Sequence, residues 1–224
     1  MLEKYFGFLK VQDEYSILDS LIEHCRIDEE ELNLLSDMVM LLTQQKMSEV
    51  EEYFEKIRKI STDSSRIFEN TAEHIIQANF DHQKQYDLLR LYQRIENISS
   101  LIISSARRIL VFHQIGGLLP IEQNSCLNEL MKNVLAIHIE FRLALTRFQE
   151  DKKMVLRTVS KVEELKNVID DQRAICLENI YRLANDNQLP LGNFRAMETI
   201  VEHLEEVAAK IKDGATSLEW LLLT

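Results

Sequence analysis

Six histidines, three cysteines and an excess of carboxylates are the side chains of this sequence with chemistry to offer. Di-iron carboxylate bundles take ligands from Glu-x-x-His on facing helices, where residues three apart share a face. None of His24, His74, His82, His113, His138 and His203 has glutamate three positions before it. HExxH, GxSxG, the Walker A loop and the dinucleotide glycine pattern are absent too. His113 falls on an apolar stripe and reads as a core histidine. The expectation is a protein that is not an enzyme. Cys25, Cys126 and Cys176 lie far apart without a CxxC, which argues against both a disulfide framework and a zinc site. Each sits beside apolar residues and reads as a buried free thiol.

Charge narrows the partners. The formal net charge is −11 and the isoelectric point about 5.1. Nucleic-acid binding depends on neutralising phosphates with Lys and Arg, so this balance excludes it as the main activity. Arg107-Arg108 and Lys152-Lys153 are local basic pairs that read as solvated helix face. An acidic surface suits a basic partner, and cytoplasmic loops of membrane proteins are enriched in Lys and Arg. The opening MLEKYFGFLKVQDEYS has no basic region followed by an apolar core, so no signal peptide is expected. No run reaches the ~20 apolar residues of a membrane span. By elimination the expected location is cytoplasmic.

Helices must position whatever chemistry exists. Five Gly and 2 Pro in 224 residues fall well below average usage of roughly 7% and 5%. Strands and hairpins need more punctuation than that. Hydrophobic residues at 46% and charged residues at 28% mark a folded chain. Apolar stripes with heptad-like spacing fill most of the length. The first joins Leu18, Leu21, Cys25, Leu32, Leu35 and Val39, with a break expected at Arg26-Ile27-Asp28. Asp28 with Glu31, and Ser48 with Glu51, have the spacing of capping boxes. A second helix carries Phe54, Ile57, Ile60, Ile67 and Ile75; a third carries Leu88, Tyr92, Ile95, Ser99, Ile102, Ala106 and Ile109. Gly116-Gly117-Leu118-Leu119-Pro120 is the strongest break, with glycine ending one helix and proline opening the next. The pattern restarts with Leu127, Leu130, Val134, Ile137, Phe141, Ala144 and Phe148. A fifth series holds Val155, Val162, Leu165, Val168, Ile175 and Leu183, and a turn over 185–193 contains Pro190 and Gly192. The last runs through Met197, Val201, Leu204, Ala208, Ile211, Ala215, Leu218 and Leu222.

The two halves superpose at a shift of about 109 residues, with the middle helices at about 108. Leu18, Leu32 and Leu35 map onto Leu127, Phe141 and Ala144; Phe54, Ile57, Ile60 and Ile67 map onto Val162, Leu165, Val168 and Ile175. The expected fold is all-α: an elongated bundle of about six long helices in two three-helix halves, residues 1–115 and 120–224.

Asn79-Phe80-Asp81, followed by Leu88, Leu91, Ile95-Glu96-Asn97-Ile98 and Ala106-Arg107-Arg108-Ile109, resembles the PhoU-related Pit-accessory proteins. In that family a Phe-Asp turn precedes a helix with a Leu-Asp-Asp-Val-Ala-Asp-like segment. Leu204-Glu205-Glu206-Val207-Ala208-Ala209 resembles the same segment in the second half. The resemblance implies PhoU-type halves, and a regulatory role beside a membrane phosphate permease of the Pit type. It also implies peripheral contact at the inner face of the membrane. The alternative is a helical adaptor or scaffold unrelated to phosphate. Self-association is left open by the sequence. Proteins of this family commonly hold a divalent or iron-type metal through carboxylates spaced along paired helices. Those places fall on Asp63, Glu96, Asp171, Glu205 and Glu206, which keep their acids, and on Ser65, Ser100, Arg173 and Ala209, which cannot supply a carboxylate. The bland reading of the acids is ordinary solvated helix face, and no cofactor follows from the sequence. Arg173 lies on the line through Ile169, Cys176 and Ile180. It is expected either to pair with Glu205 or Glu206 in place of the cation or to reach solvent along its stem.

Overall fold

The computed structural model describes the backbone of residues 2–78 and 80–223, and side chains from residue 14 onward apart from those of Met47 and Leu223. Asn79, which opens the Phe-Asp turn, lies outside the described residues. Six long helices follow one another: α1 (Leu2–Thr43), α2 (Val50–Gln77), α3 (His82–Gln114), α4 (Ile121–Arg147), α5 (Lys152–Asn185) and α6 (Leu191–Leu223). A short 3-10 turn, Met47–Glu49, leads into α2. No strand occurs among the described residues, and no helix is long and apolar enough to cross a membrane. At 1.5 Å per residue the helices are rods of roughly 40–60 Å.

Local chemistry sets most of the ends. Asp81 caps α3 by accepting from the Lys84 amide at 2.9 Å, and Asp151 caps α5 through the Met154 amide at 3.0 Å. After α3, Gly116 takes φ of +70°, a left-handed conformation that favours glycine, and Gly117 N–H returns to the Phe112 carbonyl. Pro120 then precedes α4. Two expected caps are absent. Glu49, not Ser48, sits at the start of α2 and makes no side-chain cap, because the 3-10 turn carries the chain into the helix. The break at Arg26-Ile27-Asp28 does not exist either: α1 is continuous over 42 residues. Arg26 faces out and pairs with Glu23, while Asp28 and Glu31 point inward and are fully buried.

α1, α2 and α3 pack on one another, as do α4, α5 and α6. Across the seam α1 lies on α4 and α3 on α6, leaving α2 and α5 outside. One apolar core runs through all six helices. The seam series keep the 109-residue register: Ile95, Ile98, Ile102, Ala106 and Ile109 correspond to Leu204, Val207, Ile211, Ala215 and Leu218, all buried. The outer helices do not keep their expected register. α5 buries Val155, Val162, Ile169, Cys176 and Leu183 and exposes Val168 and Ile175. Its partners on α2 are Val50, Ile57, Ser64 and Thr71, which places the shift at about 105 residues, one helical turn from that of the seam helices.

The cysteine reading is corrected too. Cys126 and Cys176 form a disulfide that ties α4 to α5. The antiparallel hairpin brings residues 50 apart in sequence to a Cα–Cα distance of 5.7 Å. Cys25 alone of the three is a free thiol, and it is buried.

Candidate functional site

The core of the first half is polar where α1, α2 and α3 meet. On α1, Leu21, Cys25, Asp28, Leu32 and Leu35 follow strict four-and-three spacing, so Asp28 occupies a core position. On α2, Ser64 sits midway between Ile57 and Thr71 on the buried heptad. Tyr92, Glu96 and Ser99 from α3 close the group. Ser64 Oγ lies 2.9 Å from His24 Nε2, and Tyr92 Oη lies 3.5 Å from His24 Nδ1. Ser99 Oγ donates to Glu31 at 2.8 Å. Glu96 reaches in from the edge, accepting weakly from Ser65 Oγ at 3.4 Å, with its other oxygen 3.3 Å from His24 Nε2. The tyrosine is fixed by stacking on Phe68, ring centroids 4.9 Å apart.

Burial sets the protonation. It lowers His24 to about 4, so the imidazole is neutral, and raises Glu31 to about 8. Asp28 goes well above the usual carboxylate range for the same reason, reinforced by the charges of Glu31 and Glu96. Glu96 also moves up by burial. The close approach of His24 to Glu96 therefore sets a neutral imidazole beside a carboxyl group and is not an ion pair. Neither oxygen of Asp28 has a hydrogen-bond partner among the described residues.

The second half answers the same positions differently. Glu205 is the counterpart of Glu96 at the 109-residue shift. Lys166 Nζ, its side chain 9% exposed, bridges Asp170 at 2.5 Å and Glu205 at 2.6 Å. Arg173 makes a two-pronged pair with Glu202 at 2.7 and 2.8 Å, and stands 4.0 Å from Glu205. Glu202 takes the fork because it lies one helical turn before Glu205 on the same face of α6; Glu206 points to solvent.

Of the acids singled out in the sequence, Glu96 and Glu205 are brought into polar clusters. Asp63 is exposed and meets only Arg66, at 3.7 Å among the ion pairs. Asp171 and Glu206 are exposed, as is Ser100, and Ala209 is half-buried. These residues do not fit a carboxylate-held hard cation. Such an ion wants several oxygen ligands, and in the second half an ammonium group already lies between the carboxylates. Sequence reasoning passed over His24, Asp28, Glu31, Ser64 and Lys166. The signal was a polar residue at a core heptad position, obscured at Asp28 by the capping-box reading. His113 is half-buried at the end of α3, where Phe112 takes the core position; the fully buried histidines are His24 and His138.

Removing the ammonium while keeping its stem should expose its role. Lys166→Met is expected to destabilise the protein by about 1–3 kcal/mol, because Glu205 is left partly buried without its partner. Arg173→Ala should cost less, within the ~0–1 kcal/mol of an exposed pair, since both Arg173 and Glu202 are about one-third exposed. Urea unfolding of both variants measures this, and equal losses would contradict the division of roles.

No family model matches the chain, and no curated protein matches it either. Solved structures do. A PhoU-like protein from Shewanella oneidensis superposes with a TM-score of 0.81 at 12% identity, over 92% of this chain and 99% of that one. A PhoU-like phosphate regulatory protein from the same organism gives a TM-score of 0.80 at 12% identity, with the same coverage. PhoU from Pseudomonas aeruginosa gives 0.77 at 13% identity, over 95% and 98%. The chain therefore shares their all-α elongated bundle along almost its whole length.

Proposed function

We propose that the chain is a PhoU-like regulatory protein of phosphate transport that works by binding another protein. It acts from the cytoplasm, in peripheral contact with a membrane phosphate permease of the Pit type, and performs no chemistry of its own. The observation that carries this reading is the likeness to PhoU-like phosphate regulatory proteins over nearly the full length of both chains. The net charge of −11 supports it, because permease loops on the cytoplasmic side are rich in Lys and Arg.

Binding of this kind is steered by exposed charge and weakens with salt. Capture of the permease from detergent extracts by the immobilised chain should fall steeply between ~0.1 and ~1 M salt, where the screening length drops from about 10 to about 3 Å. Capture that ignores salt would sink electrostatic docking. Capture of a membrane protein unrelated to phosphate would favour the adaptor reading.

A further inference from the structure

Between α1 and α4 lies a second set of buried groups. Cys25 and Asp28 on α1 and His138 on α4 are each fully buried, and their ligand atoms all lie within 4.8 Å of one another. Neither carboxylate oxygen of Asp28 and neither ring nitrogen of His138 has a hydrogen-bond partner among the described residues. Buried polar atoms are almost always satisfied, because leaving them without partners forfeits their hydration. Here two side chains with such atoms each bring one of them close to a free thiol. They are close enough to share one central atom.

We propose that Cys25, Asp28 and His138 form a binding site for a divalent transition-metal ion of the zinc class, held between α1 and α4. Thiolate, imidazole and carboxylate are the donors such ions take. Metal–ligand bonds of about 2.0–2.3 Å place the donors of a tetrahedral site roughly 3.3–3.8 Å apart. Closing from within 4.8 Å is a matter of side-chain rotation on α1 and α4. Charge balance favours the ion in an apolar interior: one dication offsets one thiolate and one carboxylate. The thiol proton and the proton that burial keeps on Asp28 both leave to solvent as the metal–sulfur and metal–oxygen bonds form. Sulfur and nitrogen donors select against magnesium and calcium, so this site differs in kind from a carboxylate cluster. The nearby cation Arg142, whose field reaches both Cys25 and His138, is engaged by Glu29 at 2.6 Å. Three protein donors leave a fourth position. The proposal is independent of the phosphate reading.

The test uses the full chain with the Cys126–Cys176 disulfide intact. The protein is unfolded in chelator, freed of metal, and refolded with one equivalent of cobalt(II) or zinc. The expected result is uptake of one cobalt with a thiolate-to-cobalt charge-transfer band, and displacement of that cobalt by zinc. Cys25→Ser should abolish the band; Cys126→Ser/Cys176→Ser should keep it. His138→Gln should weaken affinity at least ~tenfold, the scale seen even for outer-shell partners. If Cys25→Ser does not refold, alkylation of Cys25 in partly unfolding urea decides instead, with zinc expected to slow the reaction. No uptake, a band that survives Cys25→Ser, cobalt bound without a thiolate band, or alkylation indifferent to zinc would each overturn the site.

Discussion

Between pH 6.5 and 8 the metal-free protein is expected to lose roughly 2 kcal/mol more stability than Glu31→Gln does. Glu31 is fully buried on α1, with one oxygen accepting from Ser99 and the other without a hydrogen-bond partner among the described residues. Burial raises its carboxyl from the ordinary 4.5 to about 8; Glu96 on α3 and Glu30 on α1 push the same way, and the Ser99 hydroxyl opposes them. Below pH 4.5 both folded and unfolded chains hold the proton, and the group makes no difference. Above that the unfolded chain releases it while the folded chain keeps it. Each unit of pH then costs about 1.4 kcal/mol until the folded carboxyl ionises near 8. His24 runs the other way. Lowered by burial from 6.5 to about 4, it favours the folded state as pH rises through that window. His138, lowered by burial to about 3, acts in the same sense; the histidine slopes oppose the acid slope below 6.5, and above it only the acid slope remains. Asp28, also raised, adds to the acid side. Urea unfolding at a series of pH values should show the difference between wild type and Glu31→Gln growing with pH. A constant difference would mean that Glu31 does not hold its proton in the fold.

Breaking the Cys126–Cys176 bond is the second large effect. The disulfide closes a loop across a sequence separation of 50 residues, and cross-links of that span typically contribute about 2–4 kcal/mol by restricting the unfolded chain. For a protein of this size that corresponds to a melting shift on the order of ten degrees. Cys126→Ser/Cys176→Ser should melt lower than the oxidised wild type, which should converge on the variant after full reduction. Denaturation without reductant should reveal one reactive thiol, that of Cys25. Three reactive thiols in air-oxidised protein, or equal melting of oxidised and reduced forms, would remove the bond from the account. In a reducing cytoplasm the pair is expected to be a dithiol, so the oxidised and reduced chains differ in rigidity where α4 meets α5.

The helices were legible because apolar spacing and punctuation agreed. Gly116 and Pro120 each sit at an end they help to make. The failures share one cause. At Asp28 the residue type spoke for a cap while its phase spoke for the core, and in a long buried helix phase decides. On α5 two apolar series overlap, one through Val162, Ile169 and Cys176 and one through Val168 and Ile175; only packing against α4 and α6 chooses between them. Partners across helices were harder still. Lys166 finds Glu205 from 39 positions away, and Ser99 finds Glu31 from 68. Nothing in either local pattern specifies the other.

Across the seam like meets like: α1 lies on α4 and α3 on α6. That is the pairing a two-fold axis imposes on two copies of one three-helix unit. In a true symmetric dimer every substitution is made twice, so a buried acid on one side brings its duplicate on the other. Joining the units through the short link at residues 115–120 lifts that constraint. One side can then keep Glu96 beside a neutral imidazole and a buried acid, while the other surrounds Glu205 with Lys166 and Arg173. The result is a molecule whose two halves pair their helices alike and whose interior is electrically lopsided.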